Sequence, residues 1–120
     1  MKIVQAVIDV TGGKVYSVAP EGRLDAVTVP ALEAVLQAQL GNGHVQIVLD
    51  LSGVTYLSSS GLRAMLHARR QAQAGGGDVV LSGMTPRVRE IFEMIGFNDL
   101  FHVFDRVAEA AAAFAKSAAA

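Results

Sequence analysis

No stretch narrows the possible folds of this chain as much as residues 45–49. They are apolar at every position but Gln46, and Asp50 closes them. A strand this apolar has no polar face to turn to water, so both its faces must be covered. That is the pattern of a strand flanked by helices in a parallel sheet. A short link follows, then Ser58, Ser59 and Ser60, and a helical pattern opens at Gly61. The three serines therefore stand where a buried strand hands over to a helix.

The rest of the chain extends this alternation. Residues 3–10 are rich in β-branched side chains and half alternating, which predicts a strand. Thr11-Gly12-Gly13-Lys14 reads as a hairpin turn by its glycines, and residues 15–19 as a second strand stopped by Pro20. Gly22-Arg23-Leu24-Asp25 is expected to be a turn crossing to a helix. Thr28 is the expected cap of that helix, with Pro30 in the first turn, where a missing N–H costs little. Leu32, Val35, Leu36 and Leu40 recur at helical spacing, and Gly41-Asn42-Gly43 stops them. The serine helix is expected to run to about Ala74, ended by Gly75-Gly76-Gly77. Residues 78–82 predict another strand. Thr85-Pro86 starts a helix with Val88, Ile91, Phe92 and Ile95 as its core face, stopped by Gly96. Residues 97–103 predict a short last strand. Asp105 is the expected cap of an alanine-rich final helix with Val107, Ala110, Ala111 and Phe114 inward, and residues after Lys116 are expected to fray. The order is ββαβαβαβα. It predicts an α/β domain with helices packed on a mixed, mainly parallel sheet that has one antiparallel edge strand.

Bulk properties exclude several functions. At 120 residues the chain is expected to be a single domain, residues 1–120. An apolar share of 52% with a net charge of −1 argues for a compact fold and against disorder. The same near-neutral balance gives no electrostatic reason to expect direct nucleic-acid binding. No cysteine is present, so disulfides, thiol catalysis and cysteine metal sites are excluded. The apolar run before Asp9 is too short for a signal peptide, and no stretch approaches the ~18 apolar residues of a membrane helix. The expected location is the cytoplasm, without membrane insertion.

The serine run has a physical logic of its own. The start of a helix exposes N–H groups without partners, and these, with the helix dipole, favour a negative group. A phosphate on one of the serines would land there. Ser59, Arg63, His67 and Arg70 are spaced 4, 4 and 3 apart, so they share one face of the helix, while Leu62, Met65 and Leu66 point to the core. A phosphoserine, carrying about −1.5 to −2 charge, would meet both the helix start and Arg63. The plain reading of the serines is capping, and that of the basic stripe a solvated helix face.

The stretch from Asp50 to Leu62, D-L-S-G-V-T-Y-L-S-S-S-G-L, resembles the signature of the STAS domain, the fold of bacterial anti-sigma factor antagonists. That signature is an apolar strand, D-L-S/T, a small link, then D-S-S-G-L at a helix start. Ser59 matches the serine that a partner kinase phosphorylates, Ser60 the second serine, and Gly61-Leu62 the Gly-Leu. Ser58 stands where the family usually has Asp. The Gly22-Arg23-Leu24-Asp25 turn matches the family's G-x-L-D loop, which lies beside the phosphorylatable serine. The resemblance implies a phosphorylation-switched binding module, not an enzyme and without a cofactor. Ser59 is its phosphorylation site, and Gly22, Asp25, Ser58, Ser60, Gly61 and Arg63 are partner contacts. The implied partners are an ATP-binding anti-sigma serine kinase, sequestered while Ser59 is bare, and a serine phosphatase. The alternative is a non-switching STAS subunit acting as an adaptor in a transport complex or another signalling pathway; serine at position 58 keeps it open.

Other readings lack parts. Asp50 closes the third strand, where a response-regulator receiver is phosphorylated. The first strand, however, ends Ile8-Asp9-Val10-Thr11 without an acidic pair, and the lysines are only Lys2, Lys14 and Lys116. Asp50 is instead expected to bind donors in the loop below it and help fix the serine turn. A serine nucleophile needs a base and an orienting group. His44, His67 and His102 exist, but there is no Gly-x-Ser-x-Gly elbow, and the histidines lack paired metal spacing. The glycines at 75–77 are not followed by Gly-Lys-Ser/Thr, so they form no phosphate cradle.

Overall fold

A computed structural model describes residues 1–96 and 98–115. The strand predicted to be covered on both faces is central. β4 (Gln46–Asp50) lies third in a five-stranded sheet of order β1-β2-β4-β6-β7, formed with β1 (Ile3–Val10), β2 (Gly13–Pro20), β6 (Asp78–Ser82) and β7 (Val103–Phe104). β1 runs antiparallel to β2, and every other pair is parallel. Ile47, Val48 and Leu49 are fully buried. Ile47 and Leu49 belong to the larger core, with Leu32 and Leu36 of α1 (Val29–Gly41), Leu62, Met65, Ala68 and Ala72 of α2 (Ser59–Ala74), and Val88 and Phe92 of α3 (Pro86–Met94). Val48 faces the other way, into a smaller cluster with Val15, Val80, Ala110 and Ala111, the last two from α4 (Val107–Ala112). Each large aliphatic side chain so buried contributes roughly 1.5–3 kcal/mol relative to exposure.

α2 forms where the pattern demands it. Gly61, Leu62, Ala64, Met65, Ala68 and Ala72 are its buried face, a recurrence of three and four residues. It ends at Gly75. Gly76 turns the chain at φ +87°, and a side chain at Gly77 would collide with the Val45 carbonyl. The Asp78 amide donates to that same carbonyl at 2.9 Å, which locks the start of β6 to β4. Thr85 caps α3 as expected, its hydroxyl oxygen accepting from the Val88 amide at 3.2 Å.

Several local expectations are corrected. Gly22–Leu24 is not merely a turn. It is a strand, β3, and the link after Asp50 contains a second strand, β5 (Val54–Leu57); the two pair in parallel as a separate sheet. Thr28 does not cap α1 through its side chain. Its backbone is already helical (φ −94°, ψ −26°), so its hydroxyl cannot reach forward and instead donates to the Arg23 carbonyl at 2.6 Å. Asp25 takes the role, accepting from the Val27 and Thr28 amides at 3.0 and 3.2 Å. Ile95 is not core. It follows the last turn of α3, Gly96 (φ +71°) leads the chain away, and Ile95 is 45% exposed. The strand expected over residues 97–103 is a 3-10 turn, Asn98–Leu100, followed by β7; Phe97 lies outside the described residues. Phe101 here packs edge-on against Phe92, with centroids 6.2 Å apart. Asp105 does not cap α4; its carboxylate sits 4.0 Å from Arg89, and extended Arg106 precedes the helix without a side-chain cap. The residues expected to fray, those after Lys116, lie outside the described set, as does Lys116 itself.

One polar junction ties α2 to the start of β6 and to the 3-10 turn that precedes β7. Arg69 Nε donates to Asp78 Oδ1 at 2.9 Å, its Nη1 donates to the Leu100 carbonyl, and its guanidinium carbon lies 5.6 Å from the centroid of the Phe101 ring. The Arg69 and Asp78 side chains are only 17% and 20% exposed.

Candidate functional site

β4 ends at Asp50, whose Oδ1 accepts from the Ser52 amide at 3.0 Å. Asp50 thus secures the turn immediately below the strand, and reaches the serine run only through the residues that follow. The Leu51 amide donates to the Ser82 carbonyl at 2.9 Å, and Gly22 N–H to the Gly53 carbonyl at 2.9 Å. β3 and β5 then pair Arg23 with Tyr56 and Leu24 with Leu57. Gly22 sits at φ +98° in open space, so glycine is needed there for its backbone angle and not for room. At the end of this small sheet the Ser58 amide donates to the Leu24 carbonyl at 2.9 Å. The sequence-predicted residues Gly22 and Asp25 are thereby brought to the same end of the domain as Ser58, Ser59, Ser60 and Gly61.

The three serines are not equivalent. Ser58 is the N-cap residue, extended at φ −89° and ψ 170°. Its hydroxyl oxygen accepts from the Gly61 amide at 3.4 Å and pairs with the Ser60 hydroxyl at 2.8 Å. Ser58 and Ser60 are half-buried and occupied with each other, whereas Ser59, the first residue of α2, is exposed. Its hydroxyl makes no hydrogen bond among the described residues. The amides of the first helical turn have no intrahelical acceptor, so partial positive charge gathers beside it. Gly61 is held against the small sheet. A methyl group there would lie 2.7 Å from Leu57 Cδ1, 3.4 Å from Leu24 Cβ and 3.5 Å from the Leu24 carbonyl oxygen.

Arg63, His67 and Arg70 are exposed in line with Ser59. Part of this stripe borders an open groove of about 310 Å³ between α1 and α2, lined by Val29, Glu33, Ser60, Arg63, Ala64 and His67. Glu33 therefore faces the basic stripe, a neighbour that comes from 30 positions earlier and that no local pattern reveals. Also missed by sequence reasoning is the pair across β3 and β5. The Arg23 guanidinium lies 4.3 Å from the centroid of the Tyr56 ring, and Arg23 Nε is 3.7 Å from Asp25 Oδ2. The register Arg23↔Tyr56 would have disclosed it, had either strand been recognised. Asp25 is held below the ordinary carboxylate range. The Thr28 amide is the main cause, acting against partial burial, and the Val27 amide, the Thr28 hydroxyl and Arg23 add to it. Asp25 is thus a fixed anion that caps α1 beside the serine turn.

His44 lies elsewhere, stacked on Tyr16 with ring centroids 3.8 Å apart and Nδ1 2.7 Å from Gln39 Oε1. Among the described residues no group of three or more acidic or histidine side chains could hold a metal, and no helix is long and apolar enough to cross a membrane.

This fold and site define a class: an α/β domain whose polar groups gather on an exposed strand-to-helix turn and not in a cleft. The family model of the STAS domain matches residues 6–110, and the chain belongs to that family. A Bordetella bronchiseptica protein, BtrV, provisionally described as an anti-sigma factor antagonist, is 40% identical over 94 residues, which span 78% of this chain and 81% of that one. The anti-sigma-B factor antagonist of Staphylococcus aureus is 33% identical over 93 residues, 78% of this chain and 86% of its own. In structure, the anti-sigma factor antagonist SpoIIAA in its unphosphorylated form superposes with a TM-score of 0.73 at 21% identity, covering 91% of this chain and 92% of that one. The phosphorylated form of SpoIIAA, a Bacillus cell-fate determinant, gives 0.64 at 22% identity, covering 89% and 96%.

Proposed function

We propose that this chain is an anti-sigma factor antagonist switched by phosphorylation of Ser59. With the hydroxyl bare it binds and sequesters an ATP-binding anti-sigma serine kinase; with the phosphate on, it lets go, and a serine phosphatase resets it. The observation that carries this is the division of labour among the serines. Ser58 and Ser60 are bonded to each other and to the helix cap, and Ser59 alone of the three is exposed and uncommitted. The relatives named above support the class of activity, and a related fold solved both bare and phosphorylated supports a phosphate as the signal. Gly22, Asp25, Ser58, Ser60, Gly61 and Arg63 supply the surrounding contact surface.

The physics of release is a change of charge and bulk at the centre of a complementary surface. About −1.5 to −2 charge is added where the partner has closed over a neutral hydroxyl, and a desolvated, unmatched charge is costly. In the free protein the same phosphate is accommodated by the first-turn amides and by Arg63, one turn along. Incubation with the cognate kinase and ATP, followed by peptide mapping, tests the assignment. One phosphate on Ser59 is expected. Modification of Ser58 or Ser60 refutes the choice of serine, and no modification favours the non-switching adaptor, in which serine at position 58 is only a cap.

A further inference from the structure

Among the described residues no strand pairs with the outer edge of β1, and that edge has the properties of a strand acceptor. Its pairing with β2 is unbroken from Ile3↔Pro20 to Val10↔Gly13, so no bulge bends the edge away. The Glu21 amide donates to the Lys2 carbonyl at 2.9 Å, which fixes the alternation. Even-numbered residues bond inward to β2, so Ile3, Gln5, Val7 and Asp9 turn their N–H and C=O groups outward. Natural sheet edges are guarded by lysine, proline, a bulge or a covering element. The six residues between Lys2 and Asp9, Ile-Val-Gln-Ala-Val-Ile, carry neither charge nor proline. Val4 is 48% and Val7 56% exposed. The charges at the two ends are bound within their own chain, Lys2 to Glu21 at 3.6 Å and Asp9 to Lys14 at 2.9 Å.

We propose that this edge is the interface of a homodimer, in which β1 pairs antiparallel with β1 of a second copy about a two-fold axis at Gln5. The occupant is a second copy because the strand is complementary to itself in that register. Ile3 then opposes Val7 of the other copy on one face of the sheet, and Val4 opposes Ala6 on the other. The outward backbone groups of Ile3, Gln5 and Val7 are the ones that exchange hydrogen bonds. Gln5 Oε1 accepts from Gln39 Nε2 at 2.8 Å within the chain, leaving the Gln5 amide N–H groups to donate across the axis. A single strand-to-strand contact buries less than the ~1,200 Å² of a standard interface, so the dimer is weak and concentration-dependent. β2 separates this edge from β4, so the inference stands apart from the reading of Ser59.

Sedimentation from micromolar to near-millimolar protein, with amide exchange followed by NMR at both extremes, tests it. The mass is expected to rise from 12.6 kDa toward twice that value. The Ile3, Gln5 and Val7 amides should slow by about tenfold or more with concentration, while the even-numbered amides stay protected throughout. Gln5→Lys places two lysines face to face on the axis and should abolish the dimer, with the melting temperature in dilute solution unchanged. A monomer at every concentration overturns the proposal. So does a dimer that Gln5→Lys leaves intact, or one whose outward amides stay fast. Protection that appears only when another protein is added assigns the edge to a foreign strand, and overturns it equally.

Discussion

Substituting alanine for glycine at positions 61 and 41 should move stability in opposite directions. Both glycines lie in helices, where alanine is intrinsically better by ~0.8–1.0 kcal/mol. At Gly41, in the last turn of α1, the added methyl meets nothing within 4 Å. At Gly61 it would stand 2.7 Å from Leu57 Cδ1, about 1 Å inside the usual ~3.5–4.0 Å carbon contact. Leu57 is 2% exposed and has little room to turn aside, and Leu24 blocks the other approach at 3.4–3.5 Å. Overpacking of this kind costs ~1–3 kcal/mol. The propensity gain offsets part of that, leaving a net loss of ~1 kcal/mol, against a gain of ~0.5–1 kcal/mol for Gly41→Ala. Equilibrium urea unfolding should therefore separate the two variants by roughly 1 M in midpoint, on either side of wild type, given m-values of about 1–3 kcal/mol/M. If Gly61→Ala stabilised as much as Gly41→Ala, the close approach of α2 to the small sheet would not constrain this position.

Arg69→Met should cost about 2 kcal/mol, because it leaves the Asp78 carboxylate with the Val79 amide but no counter-charge, and removes a donor from the Leu100 carbonyl, in a largely dry junction; a fall of roughly 6–10 °C in Tm is expected, and one under ~2 °C would mean that water screens the pair. Asp25 contributes stability that is full above the ordinary carboxylate pKa of about 3.9 and lost as pH falls through its lower folded value. Asp25→Asn should therefore be less stable at neutral pH and flatten the acid limb of the urea-midpoint profile; curves that stay parallel would refute the cap. Ser59→Asp should weaken kinase binding in calorimetry without lowering Tm, since an acid at a helix start is neutral or stabilising by ~0.3–1 kcal/mol, and Ser59→Ala should bind permanently; if Ser59→Asp lost binding only by unfolding, charge would not be the switch.

Four strands of the main sheet were legible because they are long enough to carry a pattern; β7, at two residues, is not, and the strand expected over residues 97–103 was misplaced for that reason. Residues 45–49 announced a doubly covered strand, and Gly12-Gly13 announced the hairpin. β3 and β5 were not legible. Three and four residues are too few for a period to show, and their pairing joins positions about 30 residues apart. The same distance hid Glu33 beside Arg63 and Arg23 over Tyr56. The capping error at α1 has a different origin. Thr28 and Asp25 are both good caps by residue type, and only the backbone angles at Thr28 decide between them. Ile95 fits a helical stripe by spacing, yet the helix ends one residue before it. The serine run was placed correctly at the helix start. Helical spacing set Ser59 on the exposed face with Arg63, His67 and Arg70, and it lies there; the Ser58–Ser60 pairing depends on the cap geometry, and no spacing reveals it.

The two faces of the sheet are defended unequally. α1, α2 and α3 all pack on one side, and among the described residues the other side is roofed by a six-residue helix, α4, whose fully buried contribution is Ala110 and Ala111. Alanine methyls hold a roof weakly, so α4 should open and close many times for each global unfolding, its amides exchanging long before those of β4. Each opening bares a strip of Val15, Val48 and Val80 across three adjacent strands. The serine turn, anchored on the opposite face, would be undisturbed. A protease or a crowded solution would then act on this protein through its thin roof, cutting or clumping molecules whose signalling surface is still intact.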